Sequence, residues 1–404
     1  MNNPATIIEP HRNQTGGTIS ALRALVLANG YIRDVDQKAV AELFNISQAE
    51  VRGIVSFYAD LRTDPPANKI IQVCQAEACQ ASGCRSLTAT LENRLNIAMG
   101  ESTPDNEFAL ENVYCLGHCA NGPAAMIAGA IYTNLSSADV DALMTGKPDT
   151  APTEIVETNN RLIFNRCGRV DPLDFDAYRA EGGFPAAPIS AESVLSEIRN
   201  SGLRGRGGAG FPAHVKWQTV ADQLDNQKYI VCNADEGDSG TFADRLIMEG
   251  DPFLLIEGMA IAARAVGASK GFIYLRSEYP KAARILTEAL QIAQREGALN
   301  ESFDIALFIG AGAYICGEET SLLESLEGKR GIVRAKPPLP AIEGLFGKPT
   351  LVHNVVTLCS VPWIINNGGE AYRRFGVGHS TGTMPFQLSG NVQRGGLIEL
   401  PFGM

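Results

Sequence analysis

Two spaced pairs of cysteines constrain this chain more than any other feature. Cys74 and Cys79 enclose four residues, and Cys115 and Cys119 enclose three. Each pair stands where a strand-like run ends and a loop begins: Lys69 to Cys74 for the first, about Phe108 to Tyr114 for the second. The fold therefore has to bring two strand ends together so that the pairs face one another. Four thiolates are soft ligands and suit a [2Fe-2S] cluster or zinc. Structural zinc more often uses C-x2-C knuckles, where a tight turn fits one tetrahedral ion, so the wider spacings favour two irons. Gly117 and Gly122 would let backbone N–H groups approach cluster sulfur. The bland alternative, four small apolar core residues, does not account for two spaced pairs at strand ends. Cys84 leaves another pairing open, because Cys79 and Cys84 also enclose four residues. Cys74 is preferred because it directly follows Ile70–Val73, and His118 is read as a bystander in the loop.

The other cysteines, Cys167, Cys232, Cys316 and Cys359, are isolated and read as packed thiols. Residues 1–17 lack the basic start and apolar centre of a secretory signal, so the nine cysteines read as reduced and the expected location is cytoplasmic. No apolar run approaches the roughly 20 residues that span a bilayer, which argues against direct membrane insertion. The net charge of -11 argues against nucleic acid as the main partner, since neutralising phosphates needs a basic face.

Over 404 residues the pattern divides into blocks. A helical segment over 15–65 carries Leu22, Leu25 and Val26 on one face, and Ser47 with Glu50 forms a capping box for a further helix. Strands alternating with helices predict a small α/β domain over 66–146, its third strand running from Ala124 to Ile131. Residues 147–188 are rich in Pro, Thr, Asn and Gly and read as a linker with little core of its own. A larger α/β domain follows over 189–384. Its strands are Tyr229 to Cys232, Gly271 to Leu275 and Ile305 to Ile309, and its helices include Pro252 to Val266 and Pro280 to Glu296.

Three stretches of that domain carry chemistry. Gly202–Pro212 contains Gly205-x-Gly207-x-x-Gly210, a weak dinucleotide fingerprint because a helix rather than a strand precedes it. It is better read as a cradle in which bare backbone approaches a phosphate or flat ring, with Arg204, Arg206 and Lys216 supplying charge. Phe211 and Trp217 argue against a mobile surface loop, being costly to leave in water. The strand from Tyr229 ends in Asn233, Asp235, Glu236 and Asp238, at the strand terminus where α/β sheets bind ligands. These acids do not match an EF-hand loop, which leaves recognition of ribityl and ribose hydroxyls. Gly310–Ser321 leaves a strand and enters a helix, with Glu318 and Glu319 at its N-terminus as caps or ligand groups.

Taken together, the cysteine pairs and these motifs resemble two families joined in one chain. Residues about 15–145 are similar to the thioredoxin-like [2Fe-2S] subunit of respiratory complex I, whose four ligands fall on Cys74, Cys79, Cys115 and Cys119. Residues about 160–404 resemble its NADH-binding flavoprotein subunit through Gly202–Pro212, Cys232–Asp238, Gly310–Thr320 and Lys336–Thr350. The resemblance implies a Rossmann-like FMN/NADH-binding domain, and over 385–404 the start of a ubiquitin-like β-grasp domain. It implies FMN held by Gly205, Arg206, Gly207, Gly208 and Ala209 of the loop, with Lys216, Asn233, Asp235 and Glu236. Gly317, Glu318, Glu319, Asn354 and Thr357 complete that implied set. It implies NAD(H) stacked on the flavin, Phe211 beside the adenine, and Asp238 and Lys336 near ribose or phosphates. His353 and Val356 depart from the family's Asn-Asn-Val-Glu-Thr pattern, and Leu339 replaces an aromatic.

The function implied is that of an NADH:acceptor (diaphorase) module, in which hydride passes between nicotinamide and FMN without a side-chain general acid. Fused chains with Cys74–Ala81 and Lys336–Pro340 look most like the diaphorase subunit of NAD-dependent formate dehydrogenases, whose partner subunit carries molybdenum or tungsten. Hydrogenase and complex I-like partners are the alternative, and a non-catalytic [2Fe-2S] interaction or assembly protein is the rival from another class. The family's [4Fe-4S] centre needs C-x2-C-x2-C. No C-x2-C occurs here, and the expectation is a chain that stops inside a hairpin near Pro401–Met404.

Overall fold

A computed structural model of the protein describes residues 3–145, 155, 161–185 and 189–404. The helical segment begins earlier than expected, with α1 (Pro4–Ile8), and continues through α2 (Gly17–Asn29), α3 (Asp34–Phe44) and α4 (Gln48–Val55). The capping box forms as expected. Ser47 N–H donates to Glu50 Oε2 at 2.8 Å, and Glu50 N–H returns a bond to Ser47 Oγ at 3.1 Å.

The cysteine-bearing domain is built on β1 (Lys69–Cys74), α5 (Glu77–Ala81), α6 (Cys84–Leu95) and β2 (Phe108–Val113). The single third strand expected over 124–131 is two strands, β3 (Ala125–Ile127) and β4 (Ala130–Tyr132). Ala128 and Gly129 both take positive φ, which closes a two-residue hairpin that hydrophobicity alone does not announce. After α7 (Val140–Thr145) the sheet is complete in the order β2-β1-β3-β4. β1 and β2 run parallel with Cys74 opposite Val113. That register brings the Cys74–Cys79 loop and the Cys115–Cys119 loop out at one end of the sheet.

Of the expected linker, residues 147–154, 156–160 and 186–188 lie outside the described residues. The rest departs from the expectation. Phe164, Phe175 and Tyr178 are buried, the latter two on α8 (Phe175–Ala180). Tyr178 donates to Glu257 at 2.5 Å, and the N–H groups of Leu162, Ile163 and Phe164 all reach the Glu399 carboxylate at 3.0–3.1 Å. Three aromatics, each contributing roughly 1.5–3 kcal/mol on burial, outweigh the loop-like composition around them.

The larger domain follows with α9 (Ala191–Ser201), α10 (Ala213–Ala221), β5 (Tyr229–Ala234), α11 (Ala243–Gly250) and α12 (Pro252–Val266). Then come β6 (Lys270–Leu275), α13 (Pro280–Arg295), β7 (Asp304–Ile309), α14 (Glu319–Leu326), β8 (Thr350–Asn354), α15 (Val355–Asn367) and α16 (Gly369–Arg373). The sheet is wholly parallel in the order β7-β6-β5-β8. Alternation along β5 sends Ile230, Cys232 and Ala234 to one core and Val231 to another. The first core includes α12, α13 and α15. The second is closed by the N-terminal helices, with Leu22, Leu25, Val51 and Tyr58 packed around Val231, Phe272 and Phe308. The helical segment thus serves the far sheet, in line with parallel sheets being covered on both faces.

Beyond the two-residue strands β9 (Gly376–Val377) and β10 (Ser380–Thr381), the chain ends in β11 (Thr383–Leu388) and β12 (Gly396–Pro401). These pair antiparallel from Thr383 opposite Pro401 to Leu388 opposite Gly396. No helix among the described residues is long and apolar enough to cross a membrane.

Candidate functional site

The four predicted cysteines come together and are all buried. Cys115 and Cys119 Sγ are 3.4 Å apart, and the Cys74 and Cys79 thiols hydrogen-bond one another. Cys115 takes a left-handed φ of 67°, unusual for a residue with a Cβ, which turns the loop after β2 back on itself. Main-chain N–H groups point at the sulfurs: those of Ala76, Cys115 and Leu116 at Cys74, Ala124 at Cys79, Gly117 at Cys115, and Gly240 at Cys119. Hydrogen bonds from N–H groups stabilise thiolate over thiol. Within each pair one thiol is held down by its partner against burial, Cys74 to about 6 and Cys115 to about 7, while Cys79 and Cys119 are pushed up.

A Cβ on Gly122 would stand 3.2 Å from Cys79 Sγ, so the glycine keeps that sulfur accessible. Cys84 is buried but turns away to Gln75 Oε1 at 3.7 Å, so the close partner of Cys79 is Cys74. Among the described residues no three His, Cys, Asp or Glu groups surround a single-ion position. Two close sulfur pairs suit two bridged irons better than one tetrahedral zinc. Burial, then the charges of Arg245 and Lys281, drive the His118 imidazole down to about 2, so it stands neutral beside the pair.

A cleft of about 490 Å³ opens at the carboxyl ends of β5 and β8. Of the predicted residues, Arg206, Gly207, Gly208, Asn233, Asp235, Glu236, Asp238, Gly317, Glu318 and Asn354 line it. The register explains the convergence: Asn233 pairs with both Asn354 and Tyr274, so the three strands end level. The glycines leave room that side chains would fill. A Cβ on Gly207 would lie 3.2 Å from Asn354 Cβ, and one on Gly317 would lie 3.4 Å from Asp235 Oδ2.

Several predicted residues hold the site together rather than facing it. Arg206, read as a source of charge, is buried, with Nη2 donating to Thr381 O at 2.6 Å and Tyr372 OH at 3.1 Å, and its guanidinium over the Phe402 ring. Arg204 closes the loop on Gly210 O at 2.6 Å. Both side chains are engaged by the protein itself, and the part of the loop that lines the cleft is Arg206, Gly207 and Gly208. Thr357 is buried; its Oγ1 accepts from Arg206 N–H at 2.8 Å and donates to Asn354 Oδ1. Trp217 is buried as expected, while Phe211 is 43% exposed. Trp217 Nε1 donates to His353 Nε2 at 3.0 Å, which gives the departure at His353 a structural role. Burial and the nearby Lys216 keep that imidazole neutral and accepting.

Glu318 does cap α14. Its Oε2 accepts from Thr320 and Ser321 N–H, both at 2.9 Å, and Oε1 pairs with Lys336 Nζ at 2.8 Å. Glu319 instead binds Lys216 Nζ at 2.9 Å and stands 3.7 Å from Lys336. Asn233 Nδ2 donates to Gly317 O at 2.7 Å, tying the β5 loop to the β7 loop.

Glu236 caps α11, accepting N–H bonds from Asp244 and Arg245 at 3.0 Å and the Tyr279 hydroxyl at 3.1 Å. Burial raises its carboxyl to about 7 despite those donors, and burial together with Glu236 pushes Asp244 well up. Asp235 is likewise raised well above the carboxylate range by burial, Arg276 opposing. At Asp235, Glu236 and Asp244 burial thus favours the protonated carboxyl over the charged one.

Sequence reasoning missed part of the lining. Tyr314 donates to Asp238 Oδ1 at 2.6 Å, and Asp244, Met384, Pro385 and Gln387 also border the cleft. Tyr314 sits inside Gly310–Ser321 and was within reach of the motif. Gln387 accepts from Ala243 N–H at 2.7 Å, yet lies far along the chain on β11, where no local pattern marks it.

Residues 198–363 match the model of the Nuo51 FMN-binding domain, and residues 5–147 that of the thioredoxin-like [2Fe-2S] ferredoxin. The NAD-reducing hydrogenase HoxS subunit alpha of Cupriavidus necator is 33% identical over 99% of this chain and 70% of its own length. This chain belongs to the family that joins these two domains. Its cofactors are accordingly FMN and a [2Fe-2S] cluster, with NAD(H) as substrate. Other relatives are shorter matches. The F subunit of the NADH-quinone oxidoreductase of Aquifex aeolicus is 45% identical over 62% of this chain and 61% of that protein. The NADP-reducing hydrogenase subunit HndC of Solidesulfovibrio fructosivorans is 44% identical over 63% and 54%. The chain thus spans a little over half to 70% of the length of these relatives. A crystal structure of NAD+-reducing [NiFe]-hydrogenase in the air-oxidized state aligns with TM-score 0.83 at 32% identity, covering 97% of this chain and 69% of that one.

Proposed function

We propose that the chain is the diaphorase module of a multi-subunit oxidoreductase, exchanging hydride reversibly with NAD(H) and passing electrons to or from iron–sulfur centres. One observation carries this reading: the glycine-lined cleft and the four-cysteine site border a single buried core, to which Cys115 and Cys119 belong together with Cys232 and Ala234 of β5. In this assignment Cys74, Cys79, Cys115 and Cys119 hold the [2Fe-2S] cluster. Gly205–Ala209 main chain, Asn233, Asp235, Glu236, Gly317 and Asn354 receive FMN, and Arg206 and Thr357 hold that surface in place. Lys216, Glu318 and Glu319 set the charge at its rim, while Phe211, Asp238 and Lys336 take the dinucleotide.

Bound FMN supplies the redox chemistry, exchanging two electrons on one side and one on the other. The protein's part is to orient and to exclude water. Burial favours the protonated forms of Asp235, Glu236 and Asp244, which lessens the repulsion that three carboxylates would impose on an anionic phosphate. The ion pairs Lys216–Glu319 and Lys336–Glu318 keep the rim in a fixed geometry.

We infer a formate dehydrogenase as the parent complex, on the resemblance of Cys74–Ala81 and Lys336–Pro340; its catalytic subunit would carry molybdenum or tungsten. A hydrogenase partner is favoured by a different observation, the likeness to HoxS alpha across 99% of this chain. Purifying the complex through a tag on this chain and assaying NAD+ reduction with formate and with H2 separates the two. The module itself is tested with protein loaded with FMN and iron–sulfur. NADH:ferricyanide turnover is expected, and a cluster without turnover would instead make it a non-catalytic [2Fe-2S] interaction protein.

A further inference from the structure

The loop that carries Cys115 and Cys119 is finished by residues of the flavin-binding domain rather than by its own. Arg276, at the end of β6, is 5% exposed and spreads its guanidinium over two loops. One end donates to the carbonyl of Glu236, in the wall of the cleft, and the other to the carbonyl of Tyr114 at 3.4 Å, next to Cys115. Its counter-charge is Glu278, at 3.0 Å. Arg245, 2% exposed, donates from Nε to Gly117 O at 2.8 Å on the same cysteine loop. Gly117 lies against Tyr279, whose ring a Cβ would meet at 2.6 Å, and Tyr279 OH in turn reaches Glu236. A buried guanidinium is costly to desolvate, and one that spends its donors on main-chain carbonyls of two separate loops fixes their spacing.

We propose that Arg276 is a positioning residue between the two redox sites: it locks the Cys115 loop to the Glu236 loop and raises the reduction potential of the cluster. The proposal rests on the assignment of the [2Fe-2S] cluster to Cys74, Cys79, Cys115 and Cys119. Its physical basis is charge. Reduction adds a negative charge to the cluster, and a fixed cation in a low-dielectric interior favours the reduced form. Glu278 offsets part of that field, so removing it strengthens the effect of Arg276.

The test uses the FMN- and iron–sulfur-loaded chain in four forms: wild type, Arg276→Gln, Arg276→Lys and Glu278→Gln. Flavin and iron content are measured first, then the [2Fe-2S] midpoint potential by redox titration followed by EPR. Arg276→Gln is expected to shift the potential down and Glu278→Gln to shift it up. Arg276→Lys, which keeps the charge but not the fork, should restore most of the potential while slowing cluster reduction by NADH in rapid mixing. A merely structural arginine would change cofactor content without opposite shifts in potential. Wild-type potentials in both Arg276→Gln and Glu278→Gln overturn the proposal. If Arg276→Gln fails to fold, Glu278→Gln decides alone, and an unchanged or lowered potential overturns it. Absence of any [2Fe-2S] signal in the wild type would sink the cofactor assignment instead, a distinguishable failure.

Discussion

Cys79 and Cys84 show how little separates a ligand from a bystander. Both are buried cysteines on consecutive helices, Cys79 within α5 and Cys84 at the start of α6, yet Cys79 shares a hydrogen bond with Cys74 while Cys84 turns to the Gln75 side chain. Cys79→Ser is therefore expected to abolish the [2Fe-2S] absorbance and EPR signal of reconstituted protein, and Cys84→Ser to leave them. The opposite result would reassign the pair. Glu236 makes a second prediction, on pH. Its folded-state carboxyl titrates near 7, above the usual 4.5, because burial disfavours the charge. A raised pKa means the folded state holds its proton more tightly than the unfolded chain. The stabilisation is therefore complete below about pH 4.5 and is lost as pH rises toward and through about 7. Glu236→Gln, which keeps an acceptor for the α11 N–H groups, should flatten the fall in thermal midpoint across that window. Unchanged slope in scans from pH 5 to pH 8 would place the titration elsewhere.

At the scale of elements, much was legible where residue pattern and chain order agree. β1 and α12 fall where alternation and periodicity put them, and the Ser47–Glu50 cap is local chemistry read directly. β8 went unread because Thr350–Asn354 is short and follows a proline-rich stretch, and its strand identity comes from pairing with β5. α15 continues through Pro362, whose missing N–H would have met Leu358 O. That carbonyl instead faces Gly258 so closely that a Cβ there would lie 2.2 Å from it. The site was legible as motifs, but spacing could not say which way Arg206 or Glu236 points. Side-chain direction depends on neighbours such as Thr381 and Tyr279, remote in sequence. The stretch 161–164 is a further case, since its anchor, Glu399, is on β12. Glu399→Ala leaves three main-chain N–H groups without their acceptor and should cost about 3 kcal/mol in urea denaturation. A cost below about 0.5 kcal/mol, the range of ordinary surface changes, would show that water replaces the carboxylate.

For the whole molecule, the two faces of the parallel sheet matter most. One face belongs to helices of its own domain, and the other is shared by α14 with α2–α4 and Tyr58. Residues 161–404 produced alone would leave uncovered the part of the Val231, Phe272 and Phe308 face that the N-terminal helices close. They are expected to be recovered mainly in the insoluble fraction, and co-expression of residues 1–145 should return them to the soluble one. Comparable solubility with and without the N-terminal piece, measured by fractionation and light scattering, would mean that the face is covered in some other way.

The same arrangement has a consequence in time. Ribosomes release Leu22 and Leu25 long before Val231, and Phe308 later still. During synthesis the first helices therefore wait, half-formed and apolar on one side, for a sheet that does not yet exist. Contacts this distant in sequence are slow to close, and the waiting segment is the sort that chaperones bind. Yield in a cell should then depend on elongation speed and chaperone supply as much as on the stability of the finished protein.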